Sequence, residues 1–422
     1  MRRYESYKDS GVEWLGEVPH CWDVKKVKNI FHLIAEPAAK NNQCELLSVY
    51  TDIGVKPRAE LEERGNKAST TDGYWIVKKG DIVVNKLLAW MGAIGLSEYD
   101  GVTSPAYDIL RPYKKINGKF FHYLFRTPLC LSEFKKNSRG IMDMRLRLYF
   151  EELGNIYIPF PSYPEQQKIA QFLDDKTAKI DQAVDLAEKQ IALLKEHKQI
   201  LIQNAVTRGL NPDVPLKDSG VEWIGQVPEH WDVQRSKFIF KKIERKVNEE
   251  DQIVTCFRDG QVTLRANRRT EGFTNALKEH GYQGIRKGDL VIHAMDAFAG
   301  AIGISDSDGK ATPVYSVCLP HDKQKIDVYF YAYYLRNLAL SGFISSLAKG
   351  IRERSTDFRY SDFAELLLPI PPYLEQQKIA DYLDTQTAKI DQAIALKTAH
   401  IEKLKEYKSV LINDVVTGKV QV

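Results

Sequence analysis

The sequence predicts an α+β fold built as a tandem repeat. Two mixed α/β domains are separated by two long helices that pair as an antiparallel coiled coil, with a pseudo-two-fold relating the copies. Three observations lead there. EQQKIAQFLDDKTAKIDQA from Glu165 returns as EQQKIADYLDTQTAKIDQA from Glu375, and 25 of 43 residues match between Glu165–Thr207 and its copy. A second repeat lies ahead of each, KDSGVEWLGEVPHCWDV from Lys8 and KDSGVEWIGQVPEHWDV from Lys217. Between these landmarks the copies share only a thin framework.

The helices come from periodicity. Apolar residues at Ile180, Val184, Ala187, Ile191, Leu194, Leu201 and Ala205 alternate four and three apart, the spacing of a coiled-coil seam. The copy repeats the register at Ile390, Ile394, Ile401, Leu404, Leu411 and Val415. Lys198, Lys397 and Lys408 interrupt the seam and predict a polar or kinked stretch. Ser162 to Glu165 reads as a capping box, and Gly209 with Pro212 as a stop. Helices of this length span roughly 65 Å, longer than the domains beside them. The chain from about Arg208 to Leu374 must leave the end of one helix and return at the start of the other. A domain of that size has a radius of gyration of roughly 15 Å and could hardly bridge such a span. Antiparallel pairing follows, with one domain at each end of the pair.

The domains rest on shorter signals. KKGDIVVNK at Lys78–Lys86 matches RKGDLVIHA at Arg286–Ala294, GAIG recurs at Gly92–Gly95 and Gly300–Gly303, and Ser104-Pro105-Ala106-Tyr107 matches Thr312-Pro313-Val314-Tyr315. The VIVNK-like pieces and glycine turns predict strands; the aromatic-rich segments near Lys119–Lys136 and Asp327–Leu347 predict helices. Elsewhere the copies diverge, as in IGVKPRAELEERGNKAST from Ile53 against RDGQVTLRANRRTEGFTN from Arg258. Similar frames with different loops suggest similar jobs on different targets, because function tends to sit on loops held by rigid frames. Arg58, Arg64 and Lys67, then Arg139, Arg145 and Arg147, are candidates for phosphate contacts or for bidentate reading of guanine edges. Arg265, Arg268 and Arg269, with Lys349, Arg352 and Arg354, are their counterparts in the second copy.

Composition bounds the rest. At 422 residues the chain has room for two to three domains. A net charge of +4 permits an anionic partner without the dense positive field of a protein that holds DNA unaided. Cys21, Cys44, Cys130, Cys256 and Cys318 form no CxxC pair, and the nine histidines show no metal spacing. MRRYESYKDS lacks the apolar stretch of a signal peptide, and no run approaches a membrane span, so the expectation is a cytoplasmic protein. No GxxxxGK[ST] loop is present, and GAIG lacks the GxGxxG spacing of a cofactor loop. Ile370-Pro371-Pro372-Tyr373 superficially resembles the adenine methyltransferase motif, but Ile370 replaces the polar residue that would receive the amino group, and the first copy reads Phe160-Pro161-Ser162-Tyr163. Both are read as rigid lead-ins to a helix. The chain is expected to bind rather than catalyse, without metal or cofactor of its own.

Taken together, KDSGVEWLGEVP, the KKGD strand, GAIG, the IPFPSYPEQQKIA and LPIPPYLEQQKIADYLD lead-ins and the duplicated helices resemble the specificity (S) subunits of Type I restriction-modification enzymes. The similarity covers essentially the whole chain, in the order of a recognition domain (1–163), a helix (164–208), a second recognition domain (209–373) and a second helix (374–422). The resemblance implies a non-catalytic DNA-reading subunit whose two domains each contact half of an asymmetric bipartite site, with the helices as a ruler for the gap. Its implied partners are two modification subunits that bind S-adenosylmethionine and two restriction subunits that supply ATP-driven translocation and cleavage. Two other classes are weighed against it. A self-sufficient modification enzyme would need its own cofactor site, and a protein-only scaffold would show no sequence-dependent DNA protection.

Overall fold

The computed structural model describes residues 2–60, 71–141, 145–268, 281–347 and 357–422. The chain divides into two units, Met1–Glu188 with Thr398–Val422, and Lys189–Lys397. Each unit holds one mixed domain and a stretch of each long helix.

The KKGD and RKGD turns each launch the inner strand of a four-stranded antiparallel sheet. In the first unit the order is Phe31–Ile34, Tyr107–Pro112, Ile82–Asn85, Ile94–Leu96. In the second it is Phe240–Lys242, Tyr315–Pro320, Leu290–His293, Ile302–Ile304. Every residue of Ile82–Asn85 is buried, which explains a continuous apolar run where a half-exposed strand would alternate. Ile82 and Val84 enter a core shared with helices, whereas Val83 joins Leu47, Val49 and Val55 of a small hairpin layer. Leu290 and Ile292 part from Val291 in the same way. Each sheet therefore has helices on one face and short hairpins on the other.

Buried charge fastens the turns. Asp81 and Asp289 are each 2% exposed. Their carboxylates accept the backbone N–H of Lys78 at 2.8 Å and of Arg286 at 2.7 Å. Arg111 grips Asp81 with both prongs at 2.9 and 2.7 Å, and Arg245 grips Asp289 likewise. Each GAIG repeat leads from a tight turn at its first glycine into the next strand, against a neighbouring layer. Gly92 and Gly300 end short 3-10 turns at φ of 100° and 91°. A Cβ on Gly303 would fall 1.9 Å from the Gly260 carbonyl oxygen.

The aromatic-rich segments are helical, as the sequence predicts: Gly118–Phe125 and Pro128–Lys136 in the first unit, Val328–Leu340 and Phe343–Leu347 in the second. The long helices run unbroken over Tyr163–Arg208 and Tyr373–Val416. They pack antiparallel, the start of one on the end of the other. In the first unit Ile169, Leu173 and Ile180 share a core with Leu411, Val415 and Val416. In the second, Ala205 and Val206 share one with Ile379 and Leu383. Of the seam positions, Ile180, Ile390, Ile401 and Leu411 are buried, while Val184, Ile191, Leu194, Leu201, Ile394 and Leu404 are half-buried. The three lysines make the seam polar without breaking a helix. Lys408 reaches Asp181 at 2.6 Å, Lys198 reaches Asp391 at 2.6 Å, and Lys397 donates to Gln190 at 2.6 Å. Gly209 ends the first helix at φ 74°, as the sequence predicts. The capping box does not form, because the Glu165 carboxylate accepts the Tyr4 hydroxyl at 2.5 Å instead.

Candidate nucleic-acid interface

The divergent segments join each frame at one end of the inner strand, opposite the KKGD or RKGD turn. In the first unit that strand ends at Asn85, paired with Tyr107. Lys86 follows, donating to the Pro105 carbonyl at 3.0 Å and sitting 3.3 Å from Asp108. The Leu148 N–H donates to the Lys86 carbonyl at 2.9 Å, so the chain leaving the Pro128–Lys136 helix returns here. On the way Arg139 and Arg147 pair backbone to backbone, 2.9 Å in each direction, closing a loop that carries Gly140, Ile141 and Arg145. Trp75, which follows the divergent segment from Ile53, pairs with Thr103 beside the same Ser104-Pro105 turn. The second unit repeats the plan. Phe358 N–H donates to the Ala294 carbonyl at 3.0 Å, and the Gln283 amide donates to the Tyr315 carbonyl at 2.6 Å.

The candidate residues fare differently. Arg58 is half-buried in a 3-10 turn directly after the hairpin strand Gly54–Pro57. Arg139, Arg145 and Arg147 are brought together and exposed. Arg139 pairs with Glu152, whereas Arg145 and Arg147 make no ion pair among the described residues. Arg265 is half-buried, its Nε 3.4 Å from Thr255 Oγ1. Arg268 donates to Asp259 at 2.6 Å and lies 4.3 Å above the Phe257 ring, so its charge is largely balanced within the domain. Arg64, Lys67, Arg269, Lys349, Arg352 and Arg354 lie outside the described residues.

Sequence reasoning passed over Ile141, which is 99% exposed between Gly140 and the arginines. A signal was available: Arg139-Gly140-Ile141 recurs as Lys349-Gly350-Ile351 in loops that otherwise diverge, the second copy falling outside the described residues. Leu87, Leu88 and Met91 are exposed on the turn after the same strand, as is Met295 in the second unit. Exposed apolar side chains ringed by cations suit a surface that touches both base edges and phosphates.

One titratable group of the first unit, packed against Gly54 and Gly95, is strongly perturbed. Burial, and secondarily the Arg126 guanidinium, lowers His122 to a pKa of about 4. Its Nδ1 accepts the Leu96 N–H at 3.3 Å, so the ring is held neutral. The folded pKa lies below the ordinary value, so the unfolded chain takes up the proton first as pH falls. Stability is fully present above about pH 6.5 and is lost progressively towards pH 4, by up to roughly 3 kcal/mol. Hydrogen exchange of the Gly118–Phe125 amides is expected to quicken as pH drops through that window, after correction for intrinsic rates. His122→Gln should flatten this response; an unchanged slope would place the effect elsewhere.

Comparison with known proteins gives a consistent result. The family model described as Type I restriction modification DNA specificity domain matches residues 19–195 and 228–406. The chain is 23% identical over 459 residues to a putative type I restriction enzyme MjaX specificity subunit of Methanocaldococcus jannaschii, covering 99% of this chain and 97% of that one. It is 25% identical over 427 residues to the MjaVIII specificity subunit of the same organism, covering 96% and 94%. A chain solved in work on complex assembly and conformational transition of the type I R-M system superposes with a TM-score of 0.70 at 14% identity, covering 96% of this chain and 99% of that one. The HsdS subunit of Thermoanaerobacter tengcongensis gives 0.54 at 15%, covering 96% and 98%. These two structural likenesses speak to the fold alone.

Proposed function

Because the chain belongs to the DNA specificity subunits of Type I restriction-modification systems, non-catalytic chains with two recognition domains, we propose that each of its domains reads one half of an asymmetric bipartite DNA target. The observation that carries this is duplication with divergence. Both units hold the same sheet and turns, and both attach unlike segments at the same end of the inner strand. Unlike loops on like frames call for unlike half-sites. In the first domain we assign base and phosphate contacts to the cluster of Arg139, Ile141, Arg145 and Arg147, with Arg58, Arg64 and Lys67 on the preceding segment. In the second, Arg265, Arg268, Arg269, Lys349, Arg352 and Arg354 take the corresponding part. The long helices set the spacing.

As a component of a Type I complex the chain would recruit two modification subunits, which bring S-adenosylmethionine, and two restriction subunits, which bring ATP-driven translocation and cleavage. The outer faces of the helices support docking. Leu193, Ile200 and Leu396 in the second unit, and Leu186, Tyr407 and Val410 in the first, are exposed apolar residues on these helices. Modification subunits closing around the duplex would also add phosphate contacts that a net charge of +4 does not provide. No helix among the described residues is long and apolar enough to cross a membrane. We place the assembly in the cytoplasm, beside the DNA it would mark.

Methylome sequencing of cells that express the chain with its modification subunit tests the reading. One motif is expected, with two unlike halves and a fixed unspecified gap. Ile141→Ala or Arg145→Ala should relax base preference in one half only. A palindromic or ungapped motif would overturn the division into half-sites, and relaxation of both halves by either variant would overturn the residue assignment.

A further inference from the structure

The residues that the two long helices keep identical are not spent on the seam alone. Gln166 and Gln376, the first glutamine of each EQQKIA, are 1% and 0% exposed. Gln166 accepts the Asn117 N–H at 2.9 Å and donates to the Pro161 carbonyl at 2.9 Å. Gln376 accepts the Asp327 N–H at 2.8 Å and donates to the Pro371 carbonyl at 2.7 Å. Asn117 and Asp327 are the N-caps of Gly118–Phe125 and Val328–Leu340, each accepting two backbone N–H groups of its own helix. The glutamine thus holds the cap of a domain helix onto the root of a long one.

A second attachment lies eight residues further along. The Tyr123 hydroxyl donates to Asp174 at 2.8 Å and lies 3.2 Å from Thr177 Oγ1. Tyr333 does the same with Asp384 at 2.6 Å and Thr387 at 3.4 Å. Burial, and in part the neighbouring carboxylate, pushes both tyrosine hydroxyls above their ordinary range, so each remains a donor. Two attachments about 12 Å apart on one rod fix an angle as well as a position. Apolar packing between the same helices holds them together without direction, whereas these hydrogen bonds are met only over a narrow range of angles.

We propose that Tyr123 with Asp174 and Thr177, and Tyr333 with Asp384 and Thr387, are positioning residues for spacing discrimination: they lock the angle of each recognition domain on its helix, and so the gap between half-sites that the chain accepts. The inference rests on the bipartite reading above. At a lever of about 15 Å a swing of roughly 13° carries a loop 3.4 Å, one base-pair step. A clamp that forbids such a swing forbids a gap one base pair too long or too short. The two clamps are unequal. Lys119 adds a third arm by donating to Asp174 at 2.7 Å, whereas Tyr329 stands in its place in the second copy.

The test compares methylomes of wild type, Tyr123→Phe, Tyr333→Phe and the double variant, each co-expressed with the modification subunit, scoring methylation at sites with both correct halves and every gap length. The variants should methylate gaps one base pair off at least tenfold more than wild type, with half-site preferences unchanged. Tyr333→Phe should exceed Tyr123→Phe, and Asp384→Asn, which keeps an acceptor for Tyr333, should stay near wild type. A merely structural role would lower methylation at every gap alike and leave the distribution fixed. That outcome, or an unchanged distribution at full activity, would overturn the proposal. If the double variant does not fold, the ranking of the single variants decides. If wild type itself yields no gapped motif, the bipartite reading fails; if wild type is gapped and the variants match it, only the clamp does.

Discussion

Insertion of four residues after Ala183 is expected to change the preferred gap of the target while leaving both half-site sequences intact. Four residues add about 6 Å of helix, close to two base-pair steps, and just over one turn, so the apolar stripe keeps nearly its old face. Ala183 is exposed and lies two residues past Asp181, whose partner is Lys408. The half-sites should survive because the insertion falls between Ile180, the last residue of this helix in the first unit's core, and Leu201, the first that packs on the second's, so the loops that read them keep their supports. Position-resolved methylation mapping reads the result directly. The same gap in an assembly that still methylates would mean that the helices do not set the spacing.

Asp289→Ala should destabilise the second unit by about 3 kcal/mol, the lower end of what removing one member of a buried, hydrogen-bonded ion pair costs. The carboxylate is almost wholly buried and serves both prongs of Arg245 and the Arg286 N–H at once. Its loss leaves a guanidinium and an amide facing each other across an empty site. Urea unfolding followed by hydrogen exchange in Leu290–His293 should show the loss there and leave Ile82–Asn85 unaffected. A change below about 1 kcal/mol would mean that water replaces the carboxylate with little penalty.

Much of the fold is legible in the chain because its signals are local. Seam periodicity, the buried run after each GD turn and the glycines of GAIG are each written within a few residues, even where what they meet is distant in sequence, as Leu411 is for Ile180 and Gly260 for Gly303. The candidate interface was legible only as charge. That Arg268 is balanced by Asp259, or that Ile141 stands fully exposed beside Arg145, depends on side chains from separate segments. The capping box failed for the same reason: Tyr4, far away in sequence, competes for the Glu165 carboxylate.

The sequence by itself determined duplication, two long helices and unlike loops on like frames, because repeats and periodicities are carried by residue order. Only the tertiary structure decided who partners whom. Arg111 holds Asp81 from one neighbouring strand, and its aligned counterpart in the second copy is Leu319. The matching charge there is Arg245, close behind the edge strand Phe240–Lys242 that lies next to Tyr315–Pro320, where the first copy has Glu36. A carboxylate buried in a turn needs a guanidinium from nearby space, and either of two adjacent strands can provide it.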